Sequence, residues 1–503
     1  MNGKNKTVEG QTMEHLYVIG LDQSTQGTKA ILMDSEGEIT AKAFLPHEQI
    51  ISSEGWVSHD GEEIFRNSIH VIRQLIEDAA INKNSVAAIG ISNQRETTIA
   101  WDHETGKPVE HAIVWQCSRA KEITDAITDE SFRKYVREQT GIPLSPYFPA
   151  AKAAWILKHS KQAAELAKAD QLCIGTIDSW LIYRLTEGKV FKTDYSNASR
   201  TQLFNLHSLS WDVQICEALG IPVSALPKVE FSDEDFGSTT LNGFFDTPIP
   251  IRAVLGDSHA ALLGQGCVRP GMAKATYGTG SSIMMNIGPK FKESHSGLVT
   301  SLAWGRNRAV DYVLEGNINY AGAVITWLQK DLGLFENAKD TAGMAENANP
   351  DDKAYLVPAF SGLGAPYWKD SAQAMLCGMS RTTGKNEIVR AGLESIAYQV
   401  TDIAEAMSAD SGVKLNELRV DGGPTANPYL MQFQSDIARA RICVQKAEEL
   451  SAMGVAFLAG IGTGLYPESI LTSDRLRKTY MPQMAEETRN KKYDGWKKAV
   501  QKA

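Results

Sequence analysis

Leu16-Tyr-Val-Ile-Gly-Leu-Asp22 is a short apolar run that ends in a carboxylate and empties into a polar, glycine-containing turn, Gln23-Ser-Thr-Gln-Gly-Thr28. The chain re-enters an apolar run at Ala30-Ile-Leu-Met33, turns at Asp34-Ser-Glu-Gly37 and leaves as Ile39-Thr-Ala-Lys-Ala-Phe44. Three such runs separated by glycine turns predict an antiparallel meander. The pattern returns midway along the chain. Ile251–Leu255 reads as a strand ending at Gly256-Asp257, and Lys274–Tyr277 passes through Gly278-Thr-Gly280 into Ser281–Ile287. Helical spacing places Ile64, Phe65, Ile69, Ile72 and Ile76 on one face of a helix over 62–80, and Ile388, Leu393, Ile396, Val400, Ile403 and Met407 inward on a helix over 386–408. Val86–Ser92 and Leu418–Gly423 read as further strands emptying into loops. Alternating strands and helices that repeat in this way constrain the chain to a duplicated α/β architecture, two similar halves hinged near residues 258–270.

The bulk numbers agree with that division. Of 503 residues, 43% are hydrophobic and 22% charged, more chain than one core holds, so two domains of roughly 250 residues each are expected. A net charge of −9 argues against a nucleic-acid or anionic-membrane surface. The basic cluster Lys491, Lys492, Lys497 and Lys498 alternates with Tyr493 and Trp496 and reads as a solvated terminal helix face. Six cysteines stand singly with no C-x-x-C, no apolar stretch approaches the ~20 residues of a membrane span, and the first twelve residues lack the apolar core of a signal peptide. A cytoplasmic protein is expected, with residues 1–14 a disordered extension, 15–264 an N-terminal domain and 265–503 a C-terminal domain.

Turns made of glycine and Thr or Ser aim several backbone N–H groups at one spot, and the hydroxyls of Ser24, Thr25 and Thr279 add donors. Two such turns across a cleft can grip a triphosphate, although each alone is an ordinary hairpin turn. Neither is a P-loop. Asp22 and Asp257 each stand at a strand end, where an aspartate can simply bond turn amides. Read together, they supply what phosphoryl transfer to an alcohol requires. One carboxylate orients Mg²⁺ through its water shell, and the other accepts the proton of the attacking hydroxyl. Lys29 is either a cation for the transferred phosphoryl group or a solvated strand lysine. Arg95-Glu96 offers a fork of donors beside an acceptor, suited to neighbouring hydroxyls, or else an ordinary ion pair. Trp115 and Tyr147 are candidates to pack on the carbon edge of a small substrate, or core aromatics.

Gly20–Thr25, Gly90–Thr98, Ile113–Cys117, Thr193–Thr201, Gly256-Asp257, Thr276–Gly280, Phe360–Trp368, Leu393–Gln399 and Val420–Gly423 resemble, in order, the segments of the FGGY carbohydrate kinases, and among them the glycerol kinase branch. The resemblance implies two ribonuclease-H-like domains of the actin, Hsp70 and hexokinase type around a central cleft. It also implies ATP with Mg²⁺, a small polyol or sugar as substrate, and a homo-oligomer, dimer or tetramer. It makes Asp257 the general base and a metal-site carboxylate, and Asp22 a second Mg²⁺-site carboxylate. Arg95, Glu96, Trp115, Tyr147 and Asp257 match the acceptor-contacting set. Ser24 and Thr25 match the first phosphate loop, in which Gln26 and Lys29 stand where that branch usually has Thr and Arg, and Gly278, Thr279 and Gly280 match the second. Gly322, Gly423 and Asn427 fall where the family holds the nucleotide.

The match departs from the glycerol-kinase pattern beside the base. Ser258 stands where that branch carries Gln, and Ser282 where it carries Phe. A lost apolar wall shifts discrimination between substrates by about 1–3 kcal/mol. A kinase of a tetritol, pentitol or ketopentose is therefore the alternative within the class. An actin- or Hsp70-type ATPase without a small acceptor is the alternative outside it, and Arg95, Glu96, Trp115 and Tyr147 speak against that. The loop 241–246 carries no histidine, so activation by a phosphocarrier is not expected, and neither is fructose-bisphosphate control.

Overall fold

The computed structural model describes residues 16–473 and 475–503, so the expected extension over 1–14 lies outside the described residues. The meander read at the start of the chain is present as β1 (Tyr17–Gln23), β2 (Gly27–Met33) and β3 (Ile39–Pro46). Helix α1 (Gly61–Asp78) begins where the Asp60 carboxylate accepts the Glu62 N–H. It buries Ile64, Phe65, Ile72 and Ile76, as its periodicity predicts. With β4 (Val86–Asn93), β5 (Ser238–Thr239) and β6 (Ile249–Gly256) these strands form a sheet in the order β5-β6-β4-β1-β2-β3. Strands β6, β4 and β1 are parallel, and the rest antiparallel.

The second half repeats this plan. Strands β7 (Met272–Tyr277), β8 (Ser281–Gly288), β9 (Val299–Arg306), β10 (Ala309–Ile318), β11 (Glu417–Asp421), β12 (Arg441–Gln445) and β13 (Leu476–Tyr480) run in the order β13-β12-β11-β7-β8-β10-β9. Again three parallel strands, β12, β11 and β7, lie between an antiparallel edge strand and an antiparallel meander. The long helix expected over 386–408 spans Lys385–Ser411 and packs Ile396, Val400, Ile403 and Met407 into the core of this sheet. In the terminal helix Glu486–Lys502, Tyr493 and Trp496 are buried and donate to Asp402, so of the basic cluster Lys491, Lys497 and Lys498 are solvated while Lys492 bonds the buried Glu394. A smaller antiparallel sheet, built from five short strands between Ile50 and Thr176, carries the loops that hold Trp115 and Tyr147.

Two helices lie between the large sheets: α2 (Asp257–Gly264), which follows β6, and α3 (Leu450–Gly462), which follows β12. They cross at glycines. A Cβ on Gly454 would stand 2.0 Å from the Ala260 carbonyl oxygen, and one on Gly264 2.1 Å from that of Leu450. Helix α3 belongs to the second half by sequence but packs on the first sheet. Gly20 of β1 and Gly90 of β4, paired in register, leave no room for a side chain against the Ala452 and Val455 carbonyl oxygens. A single apolar cluster thus contains Val18, Ile31 and Ala88 of the first sheet, Met284 and Val313 of the second, and α2 and α3 between them.

Because the obstacles at Gly454 are backbone atoms, a side chain there forces the helices apart, which costs about 1–3 kcal/mol or more. Gly454→Val is expected to lower the thermal midpoint clearly. Gly343→Ala, at a helical position with nothing within 4 Å, is expected to leave it unchanged or raise it slightly. Equal midpoints for the two variants in differential scanning calorimetry would contradict this packing.

Candidate active site

Side chains alternate across a strand, so the residues that face the apolar cluster also set which ones face the cleft. On β1 the face bearing Val18 and Gly20 continues to Asp22; on β4 the face bearing Ala88 and Gly90 continues to Ser92. Asp22 and Ser92 are paired in register, and the Ser92 hydroxyl donates to Asp22 Oδ1 at 2.7 Å. On the second sheet Ala273, Ala275, Leu418 and Val420 enter the core, which turns Lys274, Thr276 and Asp421 to the opposite face. Thr276 and Gln265 donate to Asp421 at 2.9 and 3.0 Å. A cavity of about 420 Å³ lies between the two faces, lined by Asp22, Ser24, Asp257, Lys274, Asp421 and the Gly278–Gly280 turn. Burial pushes the Asp22 carboxyl up to about 6, assisted by the nearby Asp257 and opposed by the Ser92 hydrogen bond and Lys29.

The two turns hold themselves differently. In the first, the Ser24 N–H and hydroxyl both donate to the Gly27 carbonyl, at 2.9 and 3.0 Å. In the second, the Gly278 N–H donates to the Gly280 carbonyl, and the start of the helix Gly322–Lys330 clamps the turn through Gly322 N–H to Gly278 O (2.9 Å) and Ala321 N–H to Thr279 O (2.8 Å). Gly322 therefore supports the turn, and it is not among the cavity-lining residues. A second cavity of about 420 Å³ adjoins the first, shares Asp421 and Glu448 with it, and is lined by Gly422, Gly423, Thr425, Gln445, Lys446 and Arg477. Gly423 lies here as expected. Asn427 does not line it. Its carboxamide oxygen caps the helix Pro428–Ala438 at Leu430 N–H, and its Nδ2 donates to Thr341.

On the acceptor side the structure departs from an open fork beside a free acceptor. Arg95 donates Nη1 and Nη2 to Glu315 at 2.9 and 3.0 Å, and its Nε lies 3.1 Å from Asp257 Oδ1. Glu96 accepts from Arg200 Nε at 2.6 Å, and Arg200 Nη1 stands 3.0 Å from Glu315. Arg95, Glu96, Arg200 and Glu315 are all buried. Glu96 has φ +62°, and the Thr97 N–H donates to the Arg95 carbonyl across it, a γ-turn that costs strain and aims consecutive side chains at one basin. Asp257 opens helix α2 and accepts the Ser258 N–H at 2.6 Å. Trp115 and Tyr147 stand with ring centroids 5.5 Å apart, and Trp115 Nε1 donates to the Thr25 hydroxyl at 2.9 Å, tying the aromatic pair to the first turn. Lys152, fully buried, donates to the carbonyls of Tyr147 and Trp115, and desolvation lowers its ammonium to about 7.

Ser258 and Ser282 both line the cavity next to Asp257, and the Ser282 hydroxyl approaches Glu315 at 3.5 Å. Lys29 is paired with Glu449, which Lys42 also approaches at 3.5 Å, and Gln26 is exposed at the tip of the first turn. Sequence reasoning missed Glu315, Arg200 and Lys274 as site residues. Glu315 in Asp311-Tyr-Val-Leu-Glu-Gly316 and Lys274 in Met272-Ala-Lys-Ala-Thr276 are lone charges in apolar strands, and that was the available signal.

The description "FGGY family of carbohydrate kinases, N-terminal domain" matches residues 17–264, and its C-terminal counterpart matches 273–463. The chain is 44% identical over 492 residues to a glycerol kinase of Citrobacter koseri, covering 97% of this chain and 98% of that one. It is 45% identical over 489 residues to a glycerol kinase of Enterobacter sp. strain 638, covering 97% of each. Among solved structures, Plasmodium falciparum glycerol kinase with ADP superposes with a TM-score of 0.91 at 35% identity, over 97% of this chain and 98% of that one. A ligand-bound xylulose kinase of Lactobacillus acidophilus, at 24% identity and a TM-score of 0.85 over 96% and 97%, shares the fold. With both domains of one family matched in order over the same two-sheet cleft, the chain belongs to the FGGY family of carbohydrate kinases and is a phosphotransferase.

Proposed function

We propose that the chain transfers the γ-phosphoryl group of ATP to a primary hydroxyl of glycerol or a polyol of similar size, with Asp257 as general base. The observation that carries this reading is the position of Asp257. Asp257 lines the phosphate-side cavity, and Arg95 Nε at 3.1 Å from its Oδ1 links it to the Arg95–Glu96 pair, which supports a place between ATP and the acceptor. The acceptor oxygen bonds to phosphorus as its proton passes to Asp257, and the bond from phosphorus to the β-phosphate oxygen breaks, leaving ADP. Glu96 and Arg95 bond adjacent hydroxyls, and Trp115 and Tyr147 cover the carbon edge. Residues 15–264 supply the acceptor basin and first turn, and 265–503 the nucleotide pocket with Gly423. Gly322 supports the second turn, and Asn427 caps the helix that follows Gly423, through the bonds described above.

Mg²⁺ fits this site through phosphate and water. No preassembled group of three metal ligands occurs among the described residues, yet Asp22 and Asp257 stand close enough for repulsion to raise Asp22. When bound, the ion supplies charge neutralisation for the phosphates, and Asp22 and Asp257 would hold it. A cytoplasmic homo-oligomer completes the reading. Ser258 and Ser282, two small hydroxyl-bearing residues beside the base, favour a larger polyol or ketopentose as the second reading.

Acceptor-dependent ADP release measured over glycerol, tetritols, pentitols and ketopentoses should show turnover with at least one of them. ATP hydrolysis that no acceptor accelerates would sink the kinase reading. Asp257→Asn is expected to bind ATP normally and lose kcat by about 10²–10⁴-fold; normal turnover would remove Asp257 from the role. Folding raises the Asp22 carboxyl from 3.8 to about 6, so this group destabilises the nucleotide-free fold above pH 6 and ceases to do so below about pH 4. Asp22→Asn should therefore melt above the wild type at pH 7.5, with the gap closing on acidification, while its Mg²⁺-dependent turnover collapses. A gap that widens as the pH falls would reverse the assignment of sign.

A further inference from the structure

Of Lys29, Lys152 and Lys274, two are committed. The ammonium of Lys29 is paired with Glu449, and that of Lys152 is taken by two backbone carbonyls. Lys274 is 2% exposed, yet it lines the phosphate-side cavity. Its ammonium carries three protons, and its one hydrogen bond among the described residues is a long 3.4 Å contact to Thr276 Oγ1. Among the described residues no carboxylate lies within ion-pair distance of it, whereas Arg95 and Arg200 are locked onto Glu315 and Glu96. A buried ammonium left so poorly bonded is costly unless another group completes its shell.

The same cavity is lined by Asp22, Asp257, Asp421 and Glu448, and among the described residues Lys274 is its one cationic lining residue. Four carboxylates around one lysine make a poor receptacle for a polyphosphate unless that lysine meets it directly. Desolvation lowers the Lys274 ammonium, while Asp421, Glu315 and Asp257 push the other way and favour the charged form. Asp421 lies on the rim shared with the nucleotide pocket, and Asp257 lines the same cavity as Lys274.

We propose that Lys274 is a catalytic residue whose ammonium contacts the oxygens of the phosphoryl group in transit, so that the cation for which sequence adjacency offered Lys29 is supplied from the second sheet. The inference rests on the kinase reading above. Lys274 keeps its proton throughout. The phosphoryl group leaves the β-phosphate oxygen and bonds to the acceptor oxygen, the acceptor's proton goes to Asp257, and the ammonium stabilises the charge on the equatorial oxygens.

The test compares the full-length protein with Lys274→Met and Lys274→Gln in two measurements. Calorimetric titration with Mg²⁺ and either β,γ-imido ATP or ADP should show a loss of roughly tenfold or more for the imido analogue. ADP affinity should stay within about twofold, which also reports an intact fold. Steady-state kinetics should show kcat lowered by about 100-fold with the acceptor KM little changed. Equal losses for the two nucleotides, or an unchanged kcat, would overturn the proposal. A wild type that turns over no polyol would instead overturn the kinase reading, and the contrast between the two nucleotides would still judge Lys274.

Discussion

Two charges from opposite halves of the chain, Arg95 and Glu315, meet in a buried bidentate pair 220 residues apart in sequence, and the acceptor side of the cleft is organised around it. Burying an ion pair is costly, and removing one partner from such a pair costs more than the pair contributes, because the survivor stays buried and uncompensated. Here the pair extends into a network. Arg200 bridges Glu315 and Glu96, and the Nε of Arg95 reaches Asp257. Two guanidiniums face three carboxylates, and the two glutamates are the buried, compensated ones. Asp257 is the member open to the cavity, with its side chain 35% exposed, so the network's surplus negative charge faces the cavity.

Beneath this network a second set of buried groups places the β6–α2 junction that carries Asp257. Asn93, at the end of β4, exchanges two hydrogen bonds with Asn197, and Asp194 accepts from Asn197, Ser196 and Ser232. The Ser196 hydroxyl in turn accepts the Gly256 N–H, one residue before Asp257. Low local dielectric makes such networks expensive when incomplete and rigid when complete. Asp257 is thus positioned from behind by amides and hydroxyls, and from the front by Arg95.

Much of this was legible in the sequence, because period-two and period-3.6 patterns are local. The hairpins, α1, the long helix over 385–411 and both aspartate-bearing strand ends fall where apolar spacing puts them. What was not legible is the pairing of charges. Nothing near Glu315 in sequence points to Arg95. Lys29, next to the first turn, points to phosphate until the fold brings Glu449 from 420 residues away. Asn427 illustrates another limit, since its side chain is spent on a helix cap and on Thr341. Helix α3 was equally hidden, because Leu450–Gly462 is apolar nearly all round and gives no amphipathic signal of which sheet it covers.

That helix has a consequence for how the protein comes into being. A ribosome releases the chain from its N-terminus, and the first sheet is complete in sequence by Gly256. One of its faces, with Val18, Ile31, Ala88 and Leu255, is covered by residues 452–459. Nearly two hundred further residues must be translated before that cover emerges. Until then the nascent half carries an exposed apolar face, the kind of surface that chaperones bind and that drives aggregation. The two halves resemble each other in plan, but the order of synthesis makes the first wait for the second.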